Sequence, residues 1–357
     1  MWLEEELELN KNQNLVISPL SLYQALALFG HGLNDRTLAP FLKYYGRTLV
    51  DAHSSENKGS LLPVDQADFR IQLGEDMLSD DQVKIANSIW GNRFLPEYLA
   101  DTKTYLKADA KPLPENTSVI NKWIEEKTAG KIANLLFERE TTPLDLFLVN
   151  AIYFKAEWLS EFEPFNTQKE SFKSPTGVVN VDMMFDKKKV DYYEDEQLQA
   201  IRLPYKVKKH SMTFILPKEH VVWADFIERL KMQDFYLNFL EKMSVKIYLP
   251  KFKLEYRPEN MKQILKNMGL EAIFKNTFLG TKNGATLADI VHKSIISVDE
   301  KGTEAAAATV MMMKEGLLFD RELKRKEPYF IFKADRPFLF MVDEGLFVGV
   351  VTDPTKE

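Results

Sequence analysis

The 357-residue chain contains no cysteine, which removes disulfides, thiolate nucleophiles and cysteine-based zinc sites at once. Such a composition fits a reducing compartment, although a secreted protein of this size can fold without disulfides. Glycine (15) and proline (16) are sparse, and no stretch has the composition of a long linker. No run approaches the ~18–20 apolar residues that a membrane span requires. Excess positive charge is also missing: the net charge is −6, which argues against nucleic acid as the principal partner. The first residues, Met1-Trp-Leu-Glu-Glu-Glu-Leu-Glu8, are acidic where a signal peptide is basic and then apolar. The expectation is a cytoplasmic or leaderless secreted protein, extracellular only if a signal peptide has been removed. What the chain does have is 45% hydrophobic and 28% charged residues, enough for a large core without staples.

The order of elements points to an α+β fold. Asn14–Ile17 reads as a short buried strand, and Ser18-Pro19 opens a helix to about Gly32, with Pro19 suited to a first turn. Leu38–Gln82 is irregular, and Val83–Trp90 reads as a strand. Thr117 or Ser118 caps a helix with Val119, Ile120, Trp123 and Ile124 on one face, ending near Gly130. Leu146–Phe154 is a nearly unbroken apolar run, the pattern of a central strand buried on both faces. Further strands are expected at Gln199–Leu203, Met212–Leu216 and Val245–Leu249, a helix at Pro258–Met268, and a hairpin from Phe338–Asp343 and Leu346–Val351. Strands spread over the whole length predict one interleaved domain, residues 1–357.

Ordinary catalytic signatures are missing. None of His31, His53, His210, His220 and His292 forms a metal-type pair, and there is no Gly-x-Ser-x-Gly elbow or phosphate-binding glycine loop. Asp80-Asp81 and Glu125-Glu126 read as solvated surface, and Lys187-Lys188-Lys189 and Lys324-Arg325-Lys326 as exposed charge in loops. No metal, no cofactor and no enzymatic activity are expected.

Residues 300–309, Glu-Lys-Gly-Thr-Glu-Ala-Ala-Ala-Ala-Thr, are ambivalent. Four alanines favour helix, with Thr303 as a cap. Extended, the same segment places Thr303, Ala305, Ala307, Thr309, Met311 and Met313 on one face, and Glu304 and Lys314 on the other. A segment with that division could join the middle of a sheet without burying a charge.

Asp299–Thr309 resembles the hinge of the reactive loop in inhibitory serpins. Asn14–Ser21 resembles the family's entry into its second helix, Asn121–Ile132 the helix across its main sheet, and Leu148–Trp158 its central strand. Leu249–Phe252 and Leu346–Val350 also fit, so six matches run in the family's order. The resemblance implies helices around a five-stranded main sheet, two further sheets, and an exposed reactive-centre loop at about 300–328. It implies a monomer that traps a target serine protease covalently: the protease cleaves the loop, forms an acyl-enzyme, and the loop enters the main sheet as a new strand. The hinge is then Glu300, Gly302, Thr303, Glu304, Ala305, Ala306, Ala307, Ala308 and Thr309, with Thr303 the first residue to enter. Ser18, Ser21, Asn150 and His292 correspond to the shutter, where the central strands part, and Trp158 to the breach above it. The family's usual count of seventeen residues from Glu300 ends at Gly316; a shift of one to three gives Leu317, Leu318 or Phe319, which suit a chymotrypsin-like or cathepsin-G-like protease.

The N-terminal helix looks shortened, heparin binding is not expected, and the span from Gly316 to Arg336 is longer than is common in the family. Two alternatives stay open: a non-inhibitory serpin acting as carrier or chaperone, and an inhibitor of a trypsin-like or papain-like protease. Asn116-Thr117-Ser118 is a glycosylation sequon, not expected to be used without a leader.

Overall fold

The computed structural model describes residues 12–33, 82–104, 108–206, 210–226, 241–258, 261–274, 278–282, 284–303, 329–343 and 345–357. The expected irregular stretch 38–82, hinge residues 304–309 and the reactive bond at 316–319 lie outside them, apart from Gln82. β1 (Leu15–Ile17) leads into α1 (Pro19–Gly30), with Ser18 as N-cap accepting from the Ser21 amide at 3.2 Å. Then come β2 (Val83–Gly91), α2 (Pro96–Thr104), β3 (Asp109–Pro112) and α3 (Ser118–Lys127). Thr117 stands at the N-cap of α3, as expected, but its side chain makes no capping bond. Asn116 Oδ1 accepts from the Ser118 amide, and the Thr117 hydroxyl donates to the Phe137 carbonyl.

β4 (Asp145–Phe154) is the apolar run, buried from Leu146 onward, and β5 (Ala156–Glu157) continues it. There follow β6 (Gln168–Ser174), β7 (Gly177–Glu194), β8 (Leu198–Pro204), β9 (Ser211–Pro217), β10 (Glu241–Pro250) and β11 (Phe252–Tyr256). The helix expected at 258–268 is described from Met261, as α4 (Met261–Leu265). It widens into a π turn (266–270) broken at Gly269, the expected helix end, whose φ of 82° suits a residue without Cβ. β12 (Thr286–Val298), β13 (Gly302–Thr303), β14 (Phe330–Lys333), β15 (Phe338–Val342) and β16 (Phe347–Val351) complete the chain.

The main sheet runs β3-β2-β4-β12-β11, five strands, with β13 and β5 at one end. Its centre is β4 beside β12, in parallel from Thr286↔Asp145 to Ile295↔Tyr153, with an irregularity between Leu287 and Asp289. Alternation along β4 divides two cores. Leu146 and Leu148 pack with Leu22, Leu26 and Phe29 of α1 on one face; Phe147, Val149 and Ala151 pack with Ile120 and Ile124 of α3 on the other. That two-sided burial is why β4 reads as a continuous apolar run.

The remaining strands join through β7, whose 18 residues pair with β6 and β10 and then, by their last four, with β8. Lys187-Lys188-Lys189 therefore lies in a strand and not in a loop. Lys188 is nearly buried, its ammonium bonded to the Ser160 and Glu161 carbonyls and to Asp186, 4.4 Å over the Phe162 ring. Among the described residues, no helix is long and apolar enough to cross a membrane.

Candidate functional site

The site is the seam between β4 and β12, read from its middle to its top. In the middle, His292 and Asn150 are register partners across the seam. His292 Nδ1 lies 2.6 Å from Asn150 Oδ1, so Nδ1 carries the hydrogen and Oδ1 accepts. The Asn150 amide donates to the Ser21 carbonyl (3.0 Å) and hydroxyl oxygen (2.7 Å), and Ser294 Oγ lies 3.0 Å from His292 Nε2. Burial pushes the His292 imidazole down to about 3, so the ring is neutral, with Ser294 donating to Nε2. Ser18, Ser21, Asn150 and His292 are thus together, all buried, joined by three elements distant in sequence. Asn87 of β2 is opposite Asn150, and its buried Oδ1 has no hydrogen-bond partner among the described residues.

At the top, the two strands are no longer in contact. β12 ends at Val298, and Asp299–Gly302 reverses the chain. The Asp299 amide donates to the Gly302 carbonyl, and Asp299 Oδ1 accepts from the Lys301 and Gly302 amides. Gly302–Thr303 then enters between the two strands as β13, Thr303 opposite Val298 on one side and Ala156 on the other. A Cβ at position 302 would fall 2.1 Å from the Ala156 carbonyl oxygen, so only glycine permits this approach. Thr303 is 1% exposed, and its hydroxyl lies 2.6 Å from that of Tyr205.

Trp158 borders the turn. Its indole donates to the Asp299 carbonyl at 3.0 Å, its amide to the Lys301 carbonyl, and its ring stacks on Tyr205 with centroids 4.6 Å apart. Glu300 meets Lys251 at 2.8 Å and accepts from the Thr167 hydroxyl at 2.8 Å. Burial raises the Glu300 carboxyl, but the hydrogen bonds from Lys251 and Thr167 outweigh it and hold the group below its ordinary value. Burial lifts Asp299 above its ordinary value, against the pull of the amides it accepts from.

Sequence reasoning missed Asn87 and Ser294 in the clasp, and Thr167, Lys251 and Tyr205, whose partners come from distant segments. The Ser294 hydroxyl does meet the His292 imidazole, but Ser294, His292 and Asn150 are all sealed in the core, out of reach of a substrate. Among the described residues, no cluster of histidine and carboxylate side chains is fit to hold a metal ion. What it can do is mechanical: a polar clasp joins two strands in the middle, and a third chain is wedged between them above.

Comparison with known proteins agrees with this architecture. A family model described as "Serpin (serine protease inhibitor)" matches residues 3–354. A serpin-like protein of Thermococcus kodakarensis is 34% identical, over 96% of this chain and 81% of its own. The leukocyte elastase inhibitor of Bos taurus is 31% identical, over 97% and 95%. Among solved structures, Serpin48 of the insect Tenebrio molitor superposes with a TM-score of 0.79 at 27% identity, over 99% of this chain and 94% of that one.

Proposed function

Because the chain belongs to the serpin family, we propose that it is a suicide inhibitor of a serine protease. The protease serine attacks the scissile carbonyl in the 304–328 segment and expels the amine of the C-terminal fragment. The acylated fragment then extends β13 down the seam between β4 and β12, carrying the protease with it. Strand addition of this kind draws its energy from backbone pairing along the new strand. Each new ladder bond contributes ~0.5–1.5 kcal/mol net.

The observation that carries the reading is the position of Gly302–Thr303. Thr303 is already paired on both sides and Gly302 on one, and after Glu304 the sequence is four alanines and a threonine before Val310. We further propose a monomeric inhibitor of a chymotrypsin-like or cathepsin-G-like protease, cut between Gly316 and Phe319.

The test is incubation with chymotrypsin, cathepsin G, elastase and trypsin, followed by denaturing gels and mass spectrometry of the released peptide. A covalent band that survives denaturation, with a peptide beginning within Leu317–Asp320, is the expected result. Clean cleavage with no covalent band from any protease favours the carrier reading, and inhibitory cleavage only at Arg321 or beyond overturns the assigned bond.

A further inference from the structure

Thr303 rests on Tyr205, a residue that the family resemblance did not single out. A tyrosine hydroxyl reaches a buried target only if its own backbone is fixed, because the ring turns about only two bonds. One side of that backbone is tied to the end of the central strand: Trp158 bridges to Tyr205, the Lys206 amide donates to the Glu157 carbonyl, and the Leu159 amide to the Pro204 carbonyl. On the other side, the Tyr205 amide donates to the His210 carbonyl.

His210 is held in turn by Asp343, which follows β15. His210 Nδ1 lies 2.5 Å from Asp343 Oδ2, Asp343 Oδ1 accepts from the Ser211 amide, and the Asp343 amide donates to the Ser211 carbonyl. The His210 side chain is fully buried, edge-on to Phe154, and Phe154 is edge-on to Tyr205. A buried imidazole–carboxylate pair costs desolvation that its mutual attraction only partly offsets. Neither the core nor the shutter requires one here. We propose that His210 and Asp343 are positioning residues for loop insertion, fixing Tyr205 so that its hydroxyl receives the first loop side chain to enter the sheet. Among the described residues neither is bonded to the loop; both act through Tyr205. The seat selects a hydroxyl at position 303, because without one Tyr205 keeps, among the described residues, only the weak Met212 sulfur acceptor at 3.4 Å.

The purpose assigned to the seat rests on the insertion reading, but its test does not. Amide hydrogen exchange of residues 301–303 is measured on the full, uncleaved chain with no protease present. Tyr205→Phe should speed this exchange about fivefold to tenfold, the worth of one buried hydrogen bond. Asp343→Asn keeps a residue suited to the left-handed backbone there (φ 49°) and loses one of two acceptors. It should also speed exchange, yet add nothing in a Tyr205→Phe background, since both remove the same contact. His210→Leu should behave like Asp343→Asn, and His210→Gln, which keeps a donor for Asp343, should restore slow exchange; these two decide the matter if Asp343→Asn does not fold. Multiplying effects in the double variant, or wild-type exchange in both Asp343→Asn and His210→Leu, overturns the proposal. Covalent trapping by the wild type alongside that result would leave the inhibitor reading standing, and a behaving seat without trapping would do the reverse.

Discussion

The middle and the top of one seam are built differently. At the middle, β4 and β12 touch, and a neutral histidine and an asparagine bond across the join with two serines beneath. At the top, the same two strands are held apart by Gly302–Thr303, and side chains bond to the wedge instead of across it. The middle is a closed clasp and the top a filled slot. A sheet can stay shut along most of its length and still present an opened end, provided that the opened end has no unpaired backbone.

The largest effect should come from filling the slot wrongly. Thr303→Arg places a charge where the wild-type side chain is 1% exposed. An unpaired buried charge costs several kcal/mol, so the hinge should leave the seam. We expect the covalent band to be replaced by cleaved, released protein, with far-ultraviolet circular dichroism unchanged; full trapping by this variant would break the comparison.

Next comes the clasp. Asn150→Ala strips partners from the buried Ser21 and His292 and should destabilise the uncleaved protein by roughly 3 kcal/mol, seen in urea unfolding. A matching loss from Thr303→Val would show that slot and clasp are equally stabilising.

The clasp should also answer to acid. The His292 value is about 3 in the folded protein against the ordinary 6.5, so between those limits the unfolded chain binds the extra proton. Its contribution is fully present above pH 6.5 and is lost as pH falls from 6.5 toward 3, approaching ~1.4 kcal/mol per pH unit. His292→Gln should flatten that slope in urea midpoints measured across the range, whereas variants of the top should leave it in place.

The smallest effect belongs to the ion pair beside the slot. Lys251 is only partly exposed and leaves behind the buried Glu300 carboxylate, yet the pair still reaches solvent, so Lys251→Ala should cost about 1 kcal/mol and weaken further in salt.

Much of this was readable from residues alone, where burial is two-sided or a strand is apolar. β4 announced itself because both of its faces are covered. β7 did not: its exposed and buried positions alternate with charges, and Lys188 buries a stem beneath a cation that finds carbonyl partners. The end of the helix expected at 258–268 was readable from Gly269, where φ is 82°, but the π turn before it was not. The shutter residues were found only by family resemblance, since nothing local connects Ser21 to His292. Tyr205, His210 and Asp343 had no such help: their pairing is made by packing of β8, β9 and β15.

The register of the wedge also fixes an address. Thr303 faces both Val298 and Ala156, so an unbroken extended continuation places residue 309 six positions further down both neighbours, opposite 292 and 150. Those positions hold His292 and Asn150, the two that face each other now. Thr309 shares the parity of Thr303, so its hydroxyl would arrive on the face where they meet. Insertion would then be an exchange of partners, in which the histidine gives up the asparagine for an incoming threonine. The His292 imidazole resonances of the cleaved protein, compared between wild type and Thr309→Val, would register that handover or its absence.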